Sequence, residues 1–296
     1  MTALAVVTPV WNERARLLAC LETLRRQTLR PRSWVIVDSG STDGTIELAH
    51  ALAQAHDWID VRLANPERVG RGAPIAQTLN AGVAQACRAG DVIALMDADV
   101  SFEPEFMRTV ATAFERDERL GIAGGLQLER VRGRWRANRA TCDFVPSPLR
   151  VFRRTCLEEI APFDEGLGWE GLVHVRAALA GWRTEVLPEL AFRHLRREGA
   201  RVGRRRYWLD EGAAAYCMGY RPTYVLYRAL FRAAEPDPAA LMMLPGFARA
   251  ALRRETRTGA ERERAWLREK QRLRELPVRV REALLPIRPD GLRLRN

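Results

Sequence analysis

The sequence predicts an α/β fold, a mainly parallel sheet flanked by helices and followed by a helical C-terminal extension. Three observations predict it. Short apolar runs alternate with helix-patterned segments through the first hundred residues, the signature of βαβ units with crossover helices on a parallel sheet. Polar turns, several containing glycine, follow those apolar runs. Beyond Arg196 the strand pattern stops and helical segments take over.

The elements follow in order. Leu4–Thr8 reads as the first strand, and Glu13–Arg26 as a helix with Leu17, Leu18, Leu21 and Leu24 on one stripe. Trp34–Asp38 is a second strand. The turn Ser39-Gly40-Ser41-Thr42-Asp43-Gly44 carries cap residues for a helix starting near Thr45. Val61–Ala64 is a weaker strand, Pro74–Arg88 a helix and Val92–Met96 a strong fourth strand. Phe106–Arg116 looks helical, Ile122–Val131 and Ser147–Arg153 strand-like, Leu172–Ala180 helical up to Gly181, and Thr184–Leu187 a strand. Helices are then expected over Tyr207–Met218, Thr223–Ala233, Ala239–Arg253 and Glu261–Leu276. The chain divides at residues 1–196 and 197–296, and the first part subdivides near residue 100.

Composition narrows the class. The chain has 296 residues, 47% hydrophobic and 29% charged, which permits a sizeable core and excludes wholesale disorder. No uncharged apolar run approaches the roughly 18 residues of a membrane span. Met1-Thr2-Ala3-Leu4 places no basic stretch ahead of its apolar run, so no signal peptide is expected. Five scattered cysteines without a Cys-x-x-Cys point to a reducing, cytoplasmic setting. The net charge of +11 is uneven: residues 1–196 hold 25 basic and 25 acidic side chains, whereas residues 197–296 hold 23 and 12. A neutral body with a basic tail suits a phosphate-rich partner for the tail, or a solvated arginine-rich face.

The strongest chemical signal is Asp97-Ala98-Asp99, directly after the fourth strand. Two carboxylates at i and i+2 at a strand's carboxyl end lie where open α/β sheets bind ligands. They would repel without a cation, and Mg²⁺ or Mn²⁺ bridging to substrate phosphates fits them. Asp38 ends the second strand ahead of a glycine-containing turn, where a carboxylate can accept a hydrogen bond from a ribose or a base. Asp43 or Thr42 can cap the following helix. The first strand runs into Thr8-Pro9-Val10-Trp11-Asn12-Glu13, so three strand ends offer polar groups to one sheet edge.

Pro9–Glu13, Val37–Thr45 and Asp97-Ala98-Asp99, in that order and spacing, resemble the signatures of family-2 inverting glycosyltransferases with the GT-A fold, over residues 3 to about 195. The resemblance implies a Rossmann-like GT-A domain over 1–196, with a nucleotide-binding half at 1–100 and an acceptor half at 101–196. It implies a UDP- or GDP-sugar donor, with Pro9, Glu13 and Asp38 around the nucleoside and Asp97 and Asp99 around metal and diphosphate. Arg71, in Val69–Ala73, falls where the family has donor-contacting loop residues. His194 falls where a histidine completes the metal shell or touches the diphosphate. The family carries Glu-Asp at the start of a late helix, but this chain has Glu170-Gly171. Glu170 is therefore the expected base, with Asp164 and Glu165 behind it. His174 reads as an ordinary helix residue.

The expected function is metal-dependent, inverting, hexosyltransferase-like transfer to the hydroxyl of a saccharide or lipid-linked acceptor, in polysaccharide or glycolipid synthesis. In the tail, Tyr207, Trp208, Tyr216, Tyr220, Tyr224 and Tyr227 interleave with arginine, which suits a ring-stacking acceptor groove, single-stranded nucleic acid, or plain helix core. Leu241–Phe247 beside Arg249, Arg253 and Arg254 resembles an interfacial anchor for an anionic inner-membrane surface. The alternatives are a donor-binding protein without catalysis, motivated by Gly171, and a nucleic-acid-binding protein using the tail. The neutral N-terminal two-thirds argues against the latter.

Overall fold

The computed structural model describes residues 2–64, 73–131, 133–138, 144–234 and 237–275. The first half alternates as expected: β1 (Leu4–Val10), α1 (Arg14–Arg25), β2 (Ser33–Asp38), α2 (Thr45–Ala55), β3 (Ile59–Leu63), α3 (Ala73–Ala89) and β4 (Val92–Met96). The second half is more broken: β5 (Val100–Phe102), α4 (Phe106–Arg116), β6 (Leu120–Val131), β7 (Arg134–Ala137), β8 (Leu149–Arg153), α5 (Arg154–Ile160), α6 (Trp169–Leu179) and β9 (Arg183–His194). Helices α7 (Arg204–Cys217), α8 (Pro222–Ala234), α9 (Met243–Leu252) and α10 (Glu261–Lys270) complete it.

The strands form one sheet in the order β3-β2-β1-β4-β8-β6-β9-β5, with β7 beside β6. The strands β3 to β4 are parallel; β8 then pairs antiparallel with both β4 and β6, while β6 and β9 run parallel. Side chains of β1 alternate across the sheet. Leu4 and Val6 join a core with Leu17 and Leu24 of α1 and Phe106 of α4. Ala5 and Val7 join the opposite core with Leu79 and Val83 of α3 and Trp169 of α6. A strand buried on both faces must be apolar throughout, which is why β1, β2 and β4 were plain in the sequence. Each large side chain so buried contributes about 1.5–3 kcal/mol. Gly82 lets α3 approach, since a Cβ there would meet Val7 and Val37 side chains at 2.7 Å.

The structure departs from expectation in several places. Strand β9 continues to His194 instead of ending at Leu187; its register on β6 shifts around Pro188, and that break in the alternation hid the continuation. Strands β5 and β7 and helix α5 were not expected; they have three, four and seven residues, too short for a clear period. The helix expected over Ala239–Arg253 is a 3₁₀ turn, Pro238–Met242, followed by α9. Asp237, just ahead of that turn, accepts from Trp208 Nε1 at 2.9 Å and pairs with Arg204, which ties the turn to α7. The helix begun at Glu261 ends at Lys270, and Leu276 lies outside the described residues.

The C-terminal helices pack onto the sheet domain. Arg176 of α6 bonds Asp164 at 2.6 Å and Glu263 of α10 at 3.0 Å. Helices α7 and α9 cross at Gly212 and Gly246, where a Cβ on either glycine would collide with the other helix's backbone. No helix among the described residues is long and apolar enough to cross a membrane.

Candidate active site

The carboxyl ends of β1, β2 and β4 open into a cavity of about 1000 Å³ whose lining includes Pro9, Glu13, Asp97, Asp99, Glu170 and His194. The β1–α1 and β2–α2 loops are tied together beside it. Asn12, at a positive φ of 55°, accepts from the Thr42 N–H through Oδ1 at 2.8 Å, and its own N–H donates to Ser41 Oγ at 2.9 Å. Asparagine tolerates that left-handed backbone better than most residues. The N-cap of α2 is Gly44, at a φ of 87°, and not the expected Asp43 or Thr42; Asp43, one residue earlier, accepts from the Thr45 N–H at 3.0 Å. Asp38 Oδ1 accepts the Gly40 and Ser41 N–H groups at 2.9 and 3.0 Å, while Oδ2 is buried with no hydrogen-bond partner among the described residues. Such an orphaned acceptor costs about 1–3 kcal/mol unless a ligand donor satisfies it.

Asp97, Asp99 and His194 offer ligand atoms that all lie within 4.8 Å of one another. Strand β9 carries His194 to this point because β5, holding Val100, pairs with it antiparallel. His194 Nε2 lies 3.4 Å from Asp99 Oδ1, and Nδ1 lies 3.2 Å from Gln127 Nε2 and 3.8 Å from Glu129 Oε1. Burial pushes the Asp97 carboxyl up to about 8, and repulsion from Asp99, Glu170 and Glu13 adds to it. Burial also opposes ionisation of Asp99, but His194 and Arg196 outweigh it and hold its carboxyl below the ordinary range. Burial alone would lower His194; its bonds to Asp99 and Glu129 instead push it up to about 10, so the imidazolium is the cluster's own cation. Two carboxylate oxygens and an imidazole nitrogen, crowded enough to disfavour full ionisation, fit Mg²⁺ or Mn²⁺ as a donor set.

Glu170 stands in the first turn of α6. Its carbonyl accepts from Arg150 Nη1 at 3.0 Å, and Arg150 Nε donates to the Val145 carbonyl at 2.9 Å. Burial pulls Arg150 down to about 10 against the pull of Glu170 and Asp97. Gly171 now has a physical account: a Cβ there would lie 2.9 Å from Met218 Sδ, at the end of α7. The thioether occupies the space of the absent side chain. Asp164 is engaged by Arg176, and Glu165 accepts from Gln77 at 2.7 Å; neither lines the cavity. His174 Nε2 accepts the Val145 N–H at 3.0 Å, and burial holds the ring neutral, in keeping with a helix residue.

Arg71 lies outside the described residues. Tyr207, Trp208, Tyr220, Tyr224 and Tyr227 line the cavity, whereas Tyr216 does not and packs on Phe247 at 5.7 Å. Several contributors had no signal of their own in the sequence. Arg196 reaches Glu13 at 2.6 Å and Asp99 at 3.5 Å, and Arg201 also pairs with Glu13. Gln127 holds Glu129 and Glu198 at 3.1 Å each, and Tyr207 Oη donates to Glu198 at 2.8 Å.

Comparison with known proteins bears on the family and the fold. The sequence profile described as Glycosyl transferase family 2 matches residues 5–162. Glycosyltransferase AglE of Haloferax volcanii is 26% identical over 196 residues, 60% of this chain and 62% of AglE. Succinoglycan biosynthesis protein ExoA of Rhizobium meliloti is 29% identical over 45% of this chain and 47% of its own length. The chain thus spans less than two-thirds of these relatives. Among solved structures, mannosyltransferase PcManGT of Pyrobaculum calidifontis, in complex with GDP-Man and Mn²⁺, superposes with a TM-score of 0.57 at 18% identity, over 95% of this chain and 84% of that one. TarS of S. aureus, in complex with UDP-GlcNAc, gives 0.54 at 20% identity over 72% and 65%. These likenesses show the GT-A fold, and with a family profile covering more than half of the sequence, the chain belongs to glycosyl transferase family 2.

Proposed function

We propose that the protein transfers a hexosyl group from a UDP- or GDP-sugar to an acceptor hydroxyl with inversion, in the synthesis of a polysaccharide or glycolipid. The observation that carries this reading is the Asp97–Asp99–His194 cluster opening into one cavity with Glu170. Asp97, Asp99 and His194 would hold Mg²⁺ or Mn²⁺, which when bound neutralises charge on a leaving diphosphate. PcManGT and TarS, of the same fold, hold GDP-Man with Mn²⁺ and UDP-GlcNAc respectively.

The chain's own groups divide the remaining work. The buried, unsatisfied Asp38 Oδ2 receives a donor from the nucleoside. Pro9, Glu13 and Ser39 line the cavity, whereas Asp38 is not among its lining residues and sits behind Ser39; Arg196 and Arg201 hold Glu13 in place, and Arg71 is assigned to the diphosphate by motif position alone. Glu170 takes the proton of the acceptor hydroxyl as its oxygen attacks the anomeric carbon opposite the leaving group. Beyond residue 196 the chain is basic, and its described helices α7 to α10 supply the acceptor side. We place the enzyme in the cytoplasm, peripheral to the inner membrane face.

A panel of UDP- and GDP-sugars tests the reading. One or more should bind and be slowly hydrolysed with Mn²⁺ or Mg²⁺, and both signals should disappear in excess chelator and in Asp99→Ala. Full activity in chelator would remove the metal from the reading. Metal-dependent binding with neither hydrolysis nor transfer would make this a donor-binding protein.

A further inference from the structure

An aromatic ladder runs along the junction of α7 and α8. Tyr220, Tyr224, Tyr227 and Phe231 follow one another with ring centroids 5.7, 6.3 and 6.0 Å apart. Tyr220 precedes α8, and within that helix the spacing of three and four residues keeps Tyr224, Tyr227 and Phe231 on one side. That side faces the cavity that holds Asp97 and Glu170, and all four residues line it. Tyr207 and Trp208 of α7 form a further wall, with the Arg204 guanidinium over both rings at 5.3 and 5.6 Å. None of the six belongs to the donor motifs, and the family profile ends at residue 162, before any of them.

We propose that this ladder is an acceptor subsite for an oligosaccharide, binding several successive sugar rings and delivering the terminal hydroxyl to Glu170. The proposal rests on the glycosyltransferase reading above and names the substrate class for its acceptor side. Tyr220 meets Tyr224 edge to face at 66°, and Tyr224, Tyr227 and Phe231 are tilted to one another by 43° and 32°, so the rings offer separately angled apolar surfaces to the C–H faces of pyranose rings. Polar groups flank the platforms: Glu211 pairs with Arg228 at 3.0 Å, and Asp210 and Arg232 also line the cavity. Carboxylates and guanidinium forks beside a π face can bond the equatorial hydroxyls of a sugar while its faces stack.

The same features disfavour two other occupants. A polyprenyl chain would lay hydrocarbon over the Arg206–Asp210 and Arg228–Glu211 pairs and Arg232 and strip them of water, an unfavourable exchange. A single-stranded nucleic acid needs a basic track for its phosphates, whereas this cavity carries Glu13, Asp97, Glu129, Glu170, Glu198 and Glu211 among its arginines.

A glycan array probed with the full chain provides the test, beside two further probes: vesicles containing undecaprenyl phosphate, and a single-stranded oligonucleotide. The expected result is binding to neutral oligosaccharides that strengthens from mono- to tetrasaccharide. Tyr224→Ala and Tyr227→Ala should each weaken it about tenfold, as loss of a stacked ring does, with Tyr227→Phe close to the parent. Melting temperature reports that the variants are folded. Binding of UDP or GDP with Mn²⁺ is read separately, so failure of the donor reading is seen independently of the ladder. The proposal is overturned if the chain binds nucleotide but no glycan, if affinity does not grow with chain length, if both alanine variants match the parent, or if only the vesicles or the oligonucleotide bind.

Discussion

Glu170 is the acid on which turnover should depend most, and its surroundings say how to test it. Arg150 bonds the Glu170 carbonyl, a contact that glutamine keeps, so the isosteric Glu170→Gln should keep the structure and the donor affinity. Its kcat should fall by about 10²–10⁴-fold, the usual cost of losing a general base; single-turnover kinetics with donor in excess checks this, and near-normal turnover would move the role to another acid. The metal cluster makes a second prediction. With Asp97 pushed up to about 8 and His194 up to about 10, protons occupy the ligand atoms near neutrality. A cation must displace them, so Mn²⁺ affinity should rise with pH through neutrality. Calorimetry in buffers of different ionisation enthalpy should show net proton release; pH-independent binding would place the ion elsewhere. Asp38, Asp97 and Asp99 were legible because each stands at or just after the end of an apolar strand, and Glu170 only through the resemblance, since it opens a helix. Arg150, Glu129 and Arg196 were not, because an isolated arginine or glutamate says nothing about which carboxylate it will meet after folding.

At the scale of elements, sequence and structure agree best where burial is two-sided. Strands β1, β2 and β4 were evident as apolar runs, while β9 was truncated at Pro188 and β5 and β7 were missed for want of length. The helix pair α7 and α9 shows what periodicity cannot supply. Both were read as helices, but their mutual contact rests on Gly212 and Gly246, which carry no periodic signal. Because a Cβ at Gly212 would meet the Met243 carbonyl and the Phe247 nitrogen, no side-chain rotation can relieve it. Gly212→Ala should therefore destabilise the protein by about 1–3 kcal/mol, the range for overpacking. In thermal unfolding that corresponds to a loss of roughly 2–4 °C per kcal/mol for a chain of this size. An unchanged melting temperature would mean that the two helices do not press together as described. Since α7 also carries Tyr207, Trp208 and Met218 into the cavity, the same variant should weaken acceptor engagement before donor binding.

For the whole molecule, the unresolved contrast is a neutral body joined to a basic tail, and the fold changes how that contrast can act. The segment Leu241–Phe247, read from sequence as an interfacial anchor, is partly committed to internal packing: Met243 and Gly246 are buried against α7, while Leu241 and Pro245 are exposed. The most outward apolar residue of this region is Leu252, 86% exposed, among the exposed Arg249, Arg253 and Arg254. If the enzyme works at an anionic membrane face, this group is the place of contact. Each arginine near such a surface contributes on the order of 1 kcal/mol, so three together amount to about a hundredfold in partitioning. Deleting residues 239–296 would be a poor test, because it removes α9 from α7 and Glu263 from Arg176. The better variant replaces Arg249, Arg253 and Arg254 with glutamate, leaving the packed faces untouched. The parent should sediment with phosphatidylglycerol vesicles at low salt and be released as salt shortens the screening length. The triple variant should stay in the supernatant with its melting temperature unchanged. Equal sedimentation of both proteins, or of neither, would leave the tail as an arginine-rich solvated face whose function lies on its inner side, in the wall that α7 and α8 give to the cavity.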